Sequence, residues 1–314
     1  MKTIKKHYKN HLSSFFFWAA LLILSACGTP AIIEPTTEES MYPLFEAGSG
    51  VLMFSAQAES GSDYDVYALN LENGDVVQVT DKTRADISPS PESNGKWFVF
   101  SSNREGTYDI YHKILPDGKP SRLTDINADE TEPRVSPDGA KILFQTNAFG
   151  DFDIMALNLA SGDQTRLTEE DAQETQASWS PDGRKIAYLS NQDGDFEIFV
   201  MYADGTGKEQ LTHNDTYEAS PVWSPDGSQI IFLSRRGEHF QLFSMDTESG
   251  MEQQLTDLPA TVHSPAWEQE GNFLYFVQES AAGSQIDVLE MASGEIFSIA
   301  DAFSKYAGLV WLNP

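Results

Sequence analysis

The stretch SWSPDGRKIAYLSNQDGD, residues 178–195, combines a Pro-Asp-Gly turn, a short apolar run and a second loop that contains glycine. Asp-Gly pairs favour the positive φ angles of tight hairpin turns, and the β-branched and aromatic residues of KIAYLS favour a strand. The same order returns in VSPDGAKILFQTNAFGD (135–151) and WSPDGSQIIFLSRRGEH (223–239), with a degenerate copy in WEQEGNFLYFVQESAAG (267–283). The stretch is therefore one copy of a repeat.

Four sets of residues recur in the chain with a common step of 44 residues. Independent series that share one period predict tandem structural units. The series are the turn glycines Gly95, Gly139, Gly183, Gly227 and Gly271, the strand aromatics Phe100, Phe144, Tyr188, Phe232 and Phe276, the threonines Thr80, Thr124, Thr168, Thr212 and Thr256, and the tryptophans Trp179, Trp223, Trp267 and Trp311.

Each unit is predicted to hold four short antiparallel strands. In the copy at 177–212 they are ASWS, KIAYLS, FEIFVMY and EQLT, and turn-forming residues separate them. A four-stranded sheet with two apolar faces buries both of them only by stacking between neighbouring sheets. Such units, at a period of about 40–50 residues, are typical of a β-propeller. The predicted fold class is therefore all-β.

The number of strands predicts six blades and the way in which the ring closes. Sets of second to fourth strands start near Val51, Lys96, Lys141, Lys185, Gln229 and Asn272. Only the last five sets have a first strand before them, and GLVWLNP (308–314) is a first strand without a set. The simplest arrangement places this C-terminal strand innermost in blade 1. In the alternative, PLFEAG (43–48) is the inner strand of blade 1 and 308–314 is an extra strand.

The repeat sequence PxWSPDG, followed by an apolar strand and by Leu-Thr at the end of the unit, resembles the WD40-like PD40 repeat. TolB-type propellers of the bacterial envelope carry this repeat, and prolyl oligopeptidase relatives and oligogalacturonate lyases have similar ones. The resemblance covers residues 51–314. It implies a propeller and makes an envelope protein partner plausible. A fold that hosts many activities does not by itself define one.

The N-terminus resembles an export signal with a lipoprotein box. A basic segment with four lysines precedes the apolar run FFFWAALLIL (15–24) and LSAC (24–27). Ten apolar residues are too few to span a bilayer, so residues 1–26 are predicted to be a cleaved signal peptide. Cys27, the only cysteine, is the predicted lipidation site. Residues 27–43 form the lipidated cysteine and a flexible tether, about 50 Å long when extended, and residues 44–314 form the propeller.

The resemblance to lipoproteins also implies a location. Gly28 follows the cysteine in place of the aspartate that resembles an inner-membrane retention signal. We therefore expect an exported, membrane-anchored protein on the periplasmic side of an outer membrane or on the cell surface.

The chain is strongly acidic, with a formal charge of −28. Without the signal region, 16 basic residues remain against 48 acidic ones, a net charge of −32. Such a chain repels nucleic acid and anionic lipid headgroups. It suits cations, basic protein segments or simple solubility, and we expect a monomer that binds no nucleic acid and reaches the membrane through its lipid anchor.

One series of acidic residues is the candidate binding site. Asp86, Glu130, Glu174 and Glu218 are 44 residues apart and directly precede the predicted inner strands, so they should lie near one mouth of the channel. A second series follows each Leu-Thr pair: Asp81, Asp125, Glu169, Asp257 and Asp301, with His213 at the remaining position. Clustered carboxylates attract basic partners or hold divalent cations, and they also occur as solvated loop residues. We predict a partner-binding surface and no dedicated metal site.

The sequence gives little support to an enzyme. It contains no GxSxG, HExxH, GxxxxGK or CxxC motif, and no cofactor is predicted. By resemblance to oligogalacturonate lyases, His213 and His263 could serve a metal-dependent glycan cleavage or a glycan-binding site, which is the alternative function. The predicted function is a non-catalytic, envelope-anchored scaffold that binds a protein through its acidic face.

Overall fold

The structure is a computed structural model that describes residues 50–59, 61–80, 84–281, 283–300 and 303–312, together with the backbone of residues 32–33. This part of the chain folds into 25 β-strands. Among these residues no helix has the length and apolar character needed to cross a membrane. The predicted signal peptide and Cys27 lie outside the described residues.

Six sheets form the blades of a propeller, and they are antiparallel except for the parallel pairing of β1 at the edge of blade 1. Blade 1 contains, from the ring axis outward, β25 (Lys305–Leu312), β2 (Val51–Gln57), β3 (Asp65–Asn70), β4 (Val76–Gln78) and β1 (Ile32–Ile33). Each of the other blades contains four consecutive strands, with the first innermost. Blade 2 is β5 (Asp86–Pro91), β6 (Trp97–Ser102), β7 (Asp109–Ile114) and β8 (Ser121–Arg122), and blade 3 is β9 (Glu130–Val135), β10 (Lys141–Thr146), β11 (Asp153–Asn158) and β12 (Gln164–Arg166). Blade 4 is β13 (Glu174–Trp179), β14 (Lys185–Ser190), β15 (Glu197–Tyr202) and β16 (Glu209–Gln210), and blade 5 is β17 (Glu218–Trp223), β18 (Gln229–Ser234), β19 (Gln241–Asp246) and β20 (Glu252–Gln254). Blade 6 is β21 (Thr261–Trp267), β22 (Phe273–Ser280), β23 (Gly283–Glu290) and β24 (Ile296–Ala300).

The ring closes as the strand count predicts. The C-terminal strand β25 pairs with β2 in antiparallel register from Val51–Leu312 to Gln57–Lys305 and is the inner strand of blade 1. It also contacts β5 and β21, the inner strands of blades 2 and 6. Since β25 occupies this position, the alternative inner strand at 43–48, which lies outside the described residues, is not needed. Both the all-β class and the six-bladed closure are confirmed.

The hydrophobic core lies between the blades. One cluster joins blades 1 and 6 through Phe54, Phe303 and Tyr306 on one side and Val277 and Val288 on the other. Comparable clusters fill the spaces between the other neighbouring blades. The four phenylalanines of the 44-residue aromatic series are among the largest fully buried side chains, and Tyr188 is 2% exposed. Each blade therefore completes the core of its neighbours, and this is why no single unit is stable alone.

Every inner strand carries a bulge at one equivalent position. The residues there have φ near +55°, a conformation that non-glycine residues rarely adopt. They are Ser88, Glu132, Gln176, Ser220, Ser264 and Gly308. Gly308 of the closing strand also lies against Ser88, because a Cβ at Gly308 would be 3.3 Å from the Ser88 Cα. The position joins neighbouring blades, since the Ser88 hydroxyl donates to Glu132 Oε1 at 2.8 Å.

The SPDG sequence forms a turn that is closed by its own side chains. In blade 4 the Ser180 hydroxyl donates to Asp182 at 2.7 Å and accepts the Lys185 N–H at 2.9 Å. Gly183 has φ +69°, and the Pro137 ring of the preceding blade lies 3.7 Å from the position that its Cβ would take. Identical contacts occur in blades 3 and 5. The sequence that identifies the repeat is therefore part of the architecture.

We expect Ser180→Ala to lower the free energy of unfolding by about 1 kcal/mol, because the Lys185 N–H loses its acceptor in a half-buried hydrogen bond. Chemical denaturation would measure this change. Ser93→Ala, which removes an exposed hydroxyl from the corresponding turn of blade 2, should leave stability almost unchanged. Equal effects of the two substitutions would contradict the role given to the turn serine.

Candidate functional site

The loops of the propeller lie on two faces. We call the side with the SPDG turns and the turns between third and outer strands the turn face. We call the other side, where each outer strand leads into the next inner strand, the acidic face. The predicted series Asp86, Glu130, Glu174 and Glu218 lies on the acidic side, at the first residue of β5, β9, β13 and β17.

These four carboxylates lie beneath the surface. Their exposure is 0% for Asp86 and Glu130, 1% for Glu174 and 2% for Glu218. Sequence reasoning placed them at the correct end of the inner strands but could not show that the neighbouring blade covers them. In this arrangement a partner would experience their charge through the overlying loops without direct contact.

The threonine series holds the carboxylates in place. The hydroxyl oxygen of each threonine accepts the N–H of the third strand in the same blade, as Thr168 does from Ile154 at 2.9 Å and Thr212 from Ile198 at 2.8 Å. In three blades the hydroxyl also favours the charged form of the carboxylate six residues later, as Thr80 does for Asp86, Thr168 for Glu174 and Thr212 for Glu218. The Leu-Thr pair of the repeat therefore connects the outer strand, the third strand and the next inner strand.

The four positions differ in the remaining partners. Arg104 Nη2 donates to both carboxylate oxygens of Asp86, at 3.0 and 3.1 Å. Glu174 accepts from the Ser190 hydroxyl at 3.0 Å. Glu218 accepts from the Asn214 amide at 2.8 Å, while the Arg236 guanidinium lies 3.7 Å away. Of these four carboxylates, Asp86 is the one that accepts hydrogen bonds from an arginine among the described residues.

Burial dominates the protonation of this series. Desolvation raises the pKa of Glu130, Glu174 and Glu218 to about 7, against the opposing hydrogen bonds. It also raises the pKa of Asp86, where Ser102 and Arg104 oppose it. Neighbouring acids add to the effect, as Glu197 does at Glu218. Near neutral pH, these three glutamates are therefore close to half protonated.

A further acidic series escaped sequence analysis. Asp65, Asp109, Asp153 and Glu197 begin the third strands of blades 1 to 4, again 44 residues apart, and all are buried. Arg122 pairs with Asp109 at 2.7 Å, and Arg166 pairs with Asp153 at 2.8 Å. The constant step of 44 residues was a signal that could have revealed this series. Without the contacts between blades, however, these acids could not be distinguished from the polar residues that ordinarily stand at the ends of strands.

The exposed acids of this face belong to the series that follows Leu-Thr. Asp125, Glu169 and Asp257 are exposed, and so is His213 at the equivalent position in blade 4. Two exposed aromatic side chains accompany them on the same face, Phe149 at 52% and Tyr217 at 55%. Asp81 and Asp301 lie outside the described residues. The accessible acidic surface is therefore formed by loops above the buried carboxylates.

The two candidate histidines, His213 and His263, lie in different surroundings. His213 is exposed, whereas His263 lies on β21 with its Nδ1 3.1 Å from the Ser264 hydroxyl and its Nε2 3.8 Å from Glu279. Desolvation is the main cause of the lowered pKa of His263. Within the described part of the chain, no group of three or more His, Cys, Asp or Glu side chains could hold a metal ion.

Comparison with known families gives one clear result. The family described as "TolB beta propeller domain" (PD40) matches residues 29–176 and 128–295. These overlapping segments cover most of the chain and contain all four buried carboxylates of the predicted site. No protein of curated function matches significantly.

Several solved structures share the fold. TolB from Acinetobacter baumannii is 18% identical with a TM-score of 0.73, over 84% of this chain and 66% of that one. TolB from Agrobacterium tumefaciens is 21% identical with a TM-score of 0.68, over 83% of this chain and 91% of that one. Oligogalacturonate lyase from Vibrio parahaemolyticus is 11% identical with a TM-score of 0.57, over 79% of each chain. At these identities the likeness concerns the fold alone. The chain spans about two thirds of the Acinetobacter protein.

Proposed function

Because the chain belongs to the TolB β-propeller (PD40) family, we propose that it is a non-catalytic scaffold of the cell envelope that binds a protein through its acidic face. A propeller of this type is consistent with a protein-binding scaffold. The rigid ring presents its loops in fixed positions, and loops on a rigid framework are where binding usually occurs.

The observation that carries the proposal is the composition of the accessible acidic face. Asp125, Glu169 and Asp257 are exposed in equivalent positions, and exposed Phe149 and Tyr217 lie among the same loops. Aromatic side chains supply much of the affinity in protein interfaces, while charges steer the encounter. The partner segment that suits this surface is rich in Lys and Arg.

The buried series supports the same surface indirectly. In our proposal Asp86, Glu130, Glu174 and Glu218 fix the start of each inner strand and add negative potential below the loops. Arg84 and Arg235 are exposed on this face, whereas Arg104 and Arg166 pair with the buried Asp86 and Asp153. Because Asp86 and Asp153 offset the positive charges of Arg104 and Arg166, these two arginines do little to neutralise the exposed acids above them, and the outer surface stays negative.

We further propose that lipidated Cys27 attaches the protein to a membrane, on the periplasmic side of an outer membrane or on the cell surface. Several acyl chains hold a protein on a bilayer far more firmly than one does. Mass spectrometry of the mature protein from its own host tests this directly. An unmodified Cys27 would refute the anchor without affecting the acidic-face proposal.

The partner proposal is tested by crosslinking in the native host, followed by affinity capture and mass spectrometry. We expect one abundant partner whose capture weakens as salt rises, because exposed charges are screened within about 10 Å at 0.1 M. The triple variant Asp125→Lys, Glu169→Lys, Asp257→Lys should lower this capture by about tenfold or more, at roughly 0.5 kcal/mol or more per reversed contact.

The matched control reverses three exposed acids on the turn face, Asp117→Lys, Asp163→Lys and Glu295→Lys, and should retain capture. Loss in both variants would point to net charge, and retention in both would refute the acidic face. The glycan alternative would instead be supported by oligosaccharide binding that is lost in His213→Ala and His263→Ala.

A further inference from the structure

The outer edge of blade 1 differs from that of the other blades. Its outer strand β4 is buried, with Val76 exposed by 2% and Val77 by 1%. At the equivalent positions of the other blades the residues are exposed or half-buried. Those pairs are Pro120 and Ser121, Gln164 and Thr165, Lys208 and Glu209, Glu252 and Gln253, and Ile296 and Phe297.

Part of the sequence before the propeller occupies this edge. The backbone of β1 (Ile32–Ile33) pairs in parallel with β4, Ile32 opposite Val76 and Ile33 opposite Val77. An unpaired outer strand with two adjacent valines would be a template for unwanted pairing, and pairing with another segment removes that hazard. Two independent features, the sequence of β4 and its pairing, therefore agree that the edge has a resident strand.

We propose that residues 32–33 dock permanently on blade 1 and thereby fix how the propeller sits on the membrane, with the turn face and the rim of blade 1 near the lipid and the acidic face directed away. This proposal rests on the proposed anchor at Cys27 for its membrane part. The docking part is independent of lipidation.

The distance follows from chain connectivity. Ile32 is five positions beyond Cys27, and five such steps of the chain reach at most about 18 Å. A tether free as far as residue 43 would allow about 50 Å. Docking therefore keeps blade 1 close to the bilayer, while blade 4, three positions around a ring of six, lies on the far side.

The direction follows from the parallel pairing. Strand β4 leaves the turn at residues 71–75 on the turn face and runs toward Thr80, which is held beneath the acidic face. Since β1 runs the same way, Ile32 lies toward the turn face and Ile33 toward the acidic face. The anchor then lies below the turn face, and a partner can reach the acidic loops.

Hydrogen exchange tests the docking in a non-lipidated Cys27→Ser form of the full chain. We expect the amides of Val76–Gln78 to exchange at least about tenfold more slowly than those of 208–210 in blade 4. Ile32→Pro with Ile33→Pro should abolish this difference, because proline cannot donate to the ladder. Glu38→Pro with Glu39→Pro is the matched control and should preserve it. Unchanged exchange after the isoleucine substitutions would overturn the docking.

Energy transfer tests the placement of the lipidated protein on phosphatidylethanolamine–phosphatidylglycerol vesicles that carry a headgroup acceptor. Donors are attached to Glu72→Cys at the turn-face side of blade 1, Asp63→Cys at its acidic side, and Asp204→Cys in blade 4. Transfer should be strongest from residue 72. Equal transfer from all three, or strongest transfer from residue 63, would overturn the placement. Failure to bind the vesicles would refute the anchor, while hydrogen exchange would still decide the docking.

Discussion

A chain that ends at residue 304 is expected to lose cooperative folding. The missing strand β25 supplies the inner strand of blade 1, and its side chains Tyr306, Leu309 and Leu312 are exposed by 6% or less. Each such side chain contributes about 1.5–3 kcal/mol when buried. The deletion also leaves β2 without one of its two neighbours. Together these losses approach the whole stability of a typical domain, about 5–15 kcal/mol.

Circular dichroism and thermal unfolding would measure the effect of this deletion. A chain that ends at Leu312 is the control and should melt like the full-length protein. A synthetic peptide of residues 303–314 supplies β25 and should restore a cooperative transition when it is added during refolding, which separates loss of the strand from simple aggregation. A truncated protein that melts like the full-length one would show that the ring does not depend on β25.

The second large effect is a loss of stability with rising pH. The pKa of Glu130, Glu174 and Glu218 is about 7 in the folded protein and 4.5 ordinarily. The folded state then holds protons that the unfolded chain releases, so stability is full below pH 4.5 and falls up to about pH 7. Each group contributes up to about 1.4 kcal/mol per pH unit, so we expect a total loss of at least about 4 kcal/mol between pH 5 and pH 8.

Acids with lowered pKa do not mask this trend. The Ser136 hydroxyl is the main cause of the lowered pKa of Asp138, and Ser224 has the same effect on Asp226. The stability that Asp138 and Asp226 contribute is lost only as the pH falls below their ordinary pKa of 3.8. In the window from 4.5 to 7 the buried glutamates lower stability as the pH rises, and His112 and His263, whose pKa desolvation lowers from 6.5, oppose this trend in part.

The variant Glu130→Gln, Glu174→Gln, Glu218→Gln isolates the buried glutamates. It should flatten the dependence measured by chemical denaturation at pH 5 to 8, and it should be more stable than the natural protein at pH 8. The control Asp125→Asn, Glu169→Gln, Asp257→Asn removes three exposed charges and should keep most of the slope. An equal slope in the natural protein and the buried-site variant would contradict the assignment.

The sequence is sufficient to predict the fold because it repeats. The glycine series marks the turns, the aromatic series marks the buried second strands, and the unmatched strand around Trp311 predicts the closure. The turns and the buried strands follow from the chemistry of nearby residues, and the closure follows from the number of predicted strands. Repetition adds what a single unit could not give, since a turn seen several times at one step is unlikely to be accidental.

The candidate site was only partly predictable. The step of 44 residues places Asp86 and Glu130 at the start of inner strands, but their burial depends on side chains of other strands and blades. The left-handed position occupied by Ser88 and Glu132 was equally hidden, because neither residue type signals a positive φ. The strand at Ile32–Ile33 escaped because two residues carry no periodicity, and the surrounding prolines indicated a tether.

Ring closure also has a consequence for the order of events during synthesis. Strand β2 emerges early, yet its partner β25 follows about 250 residues later, and at about 5–20 residues per second this interval is roughly 10–50 s. During that time Val51, Met53 and Phe54, which are fully buried in the finished ring, have no inner strand beside them. Blade 1 is thus begun first and finished late, and the nascent chain needs protection from aggregation for that interval.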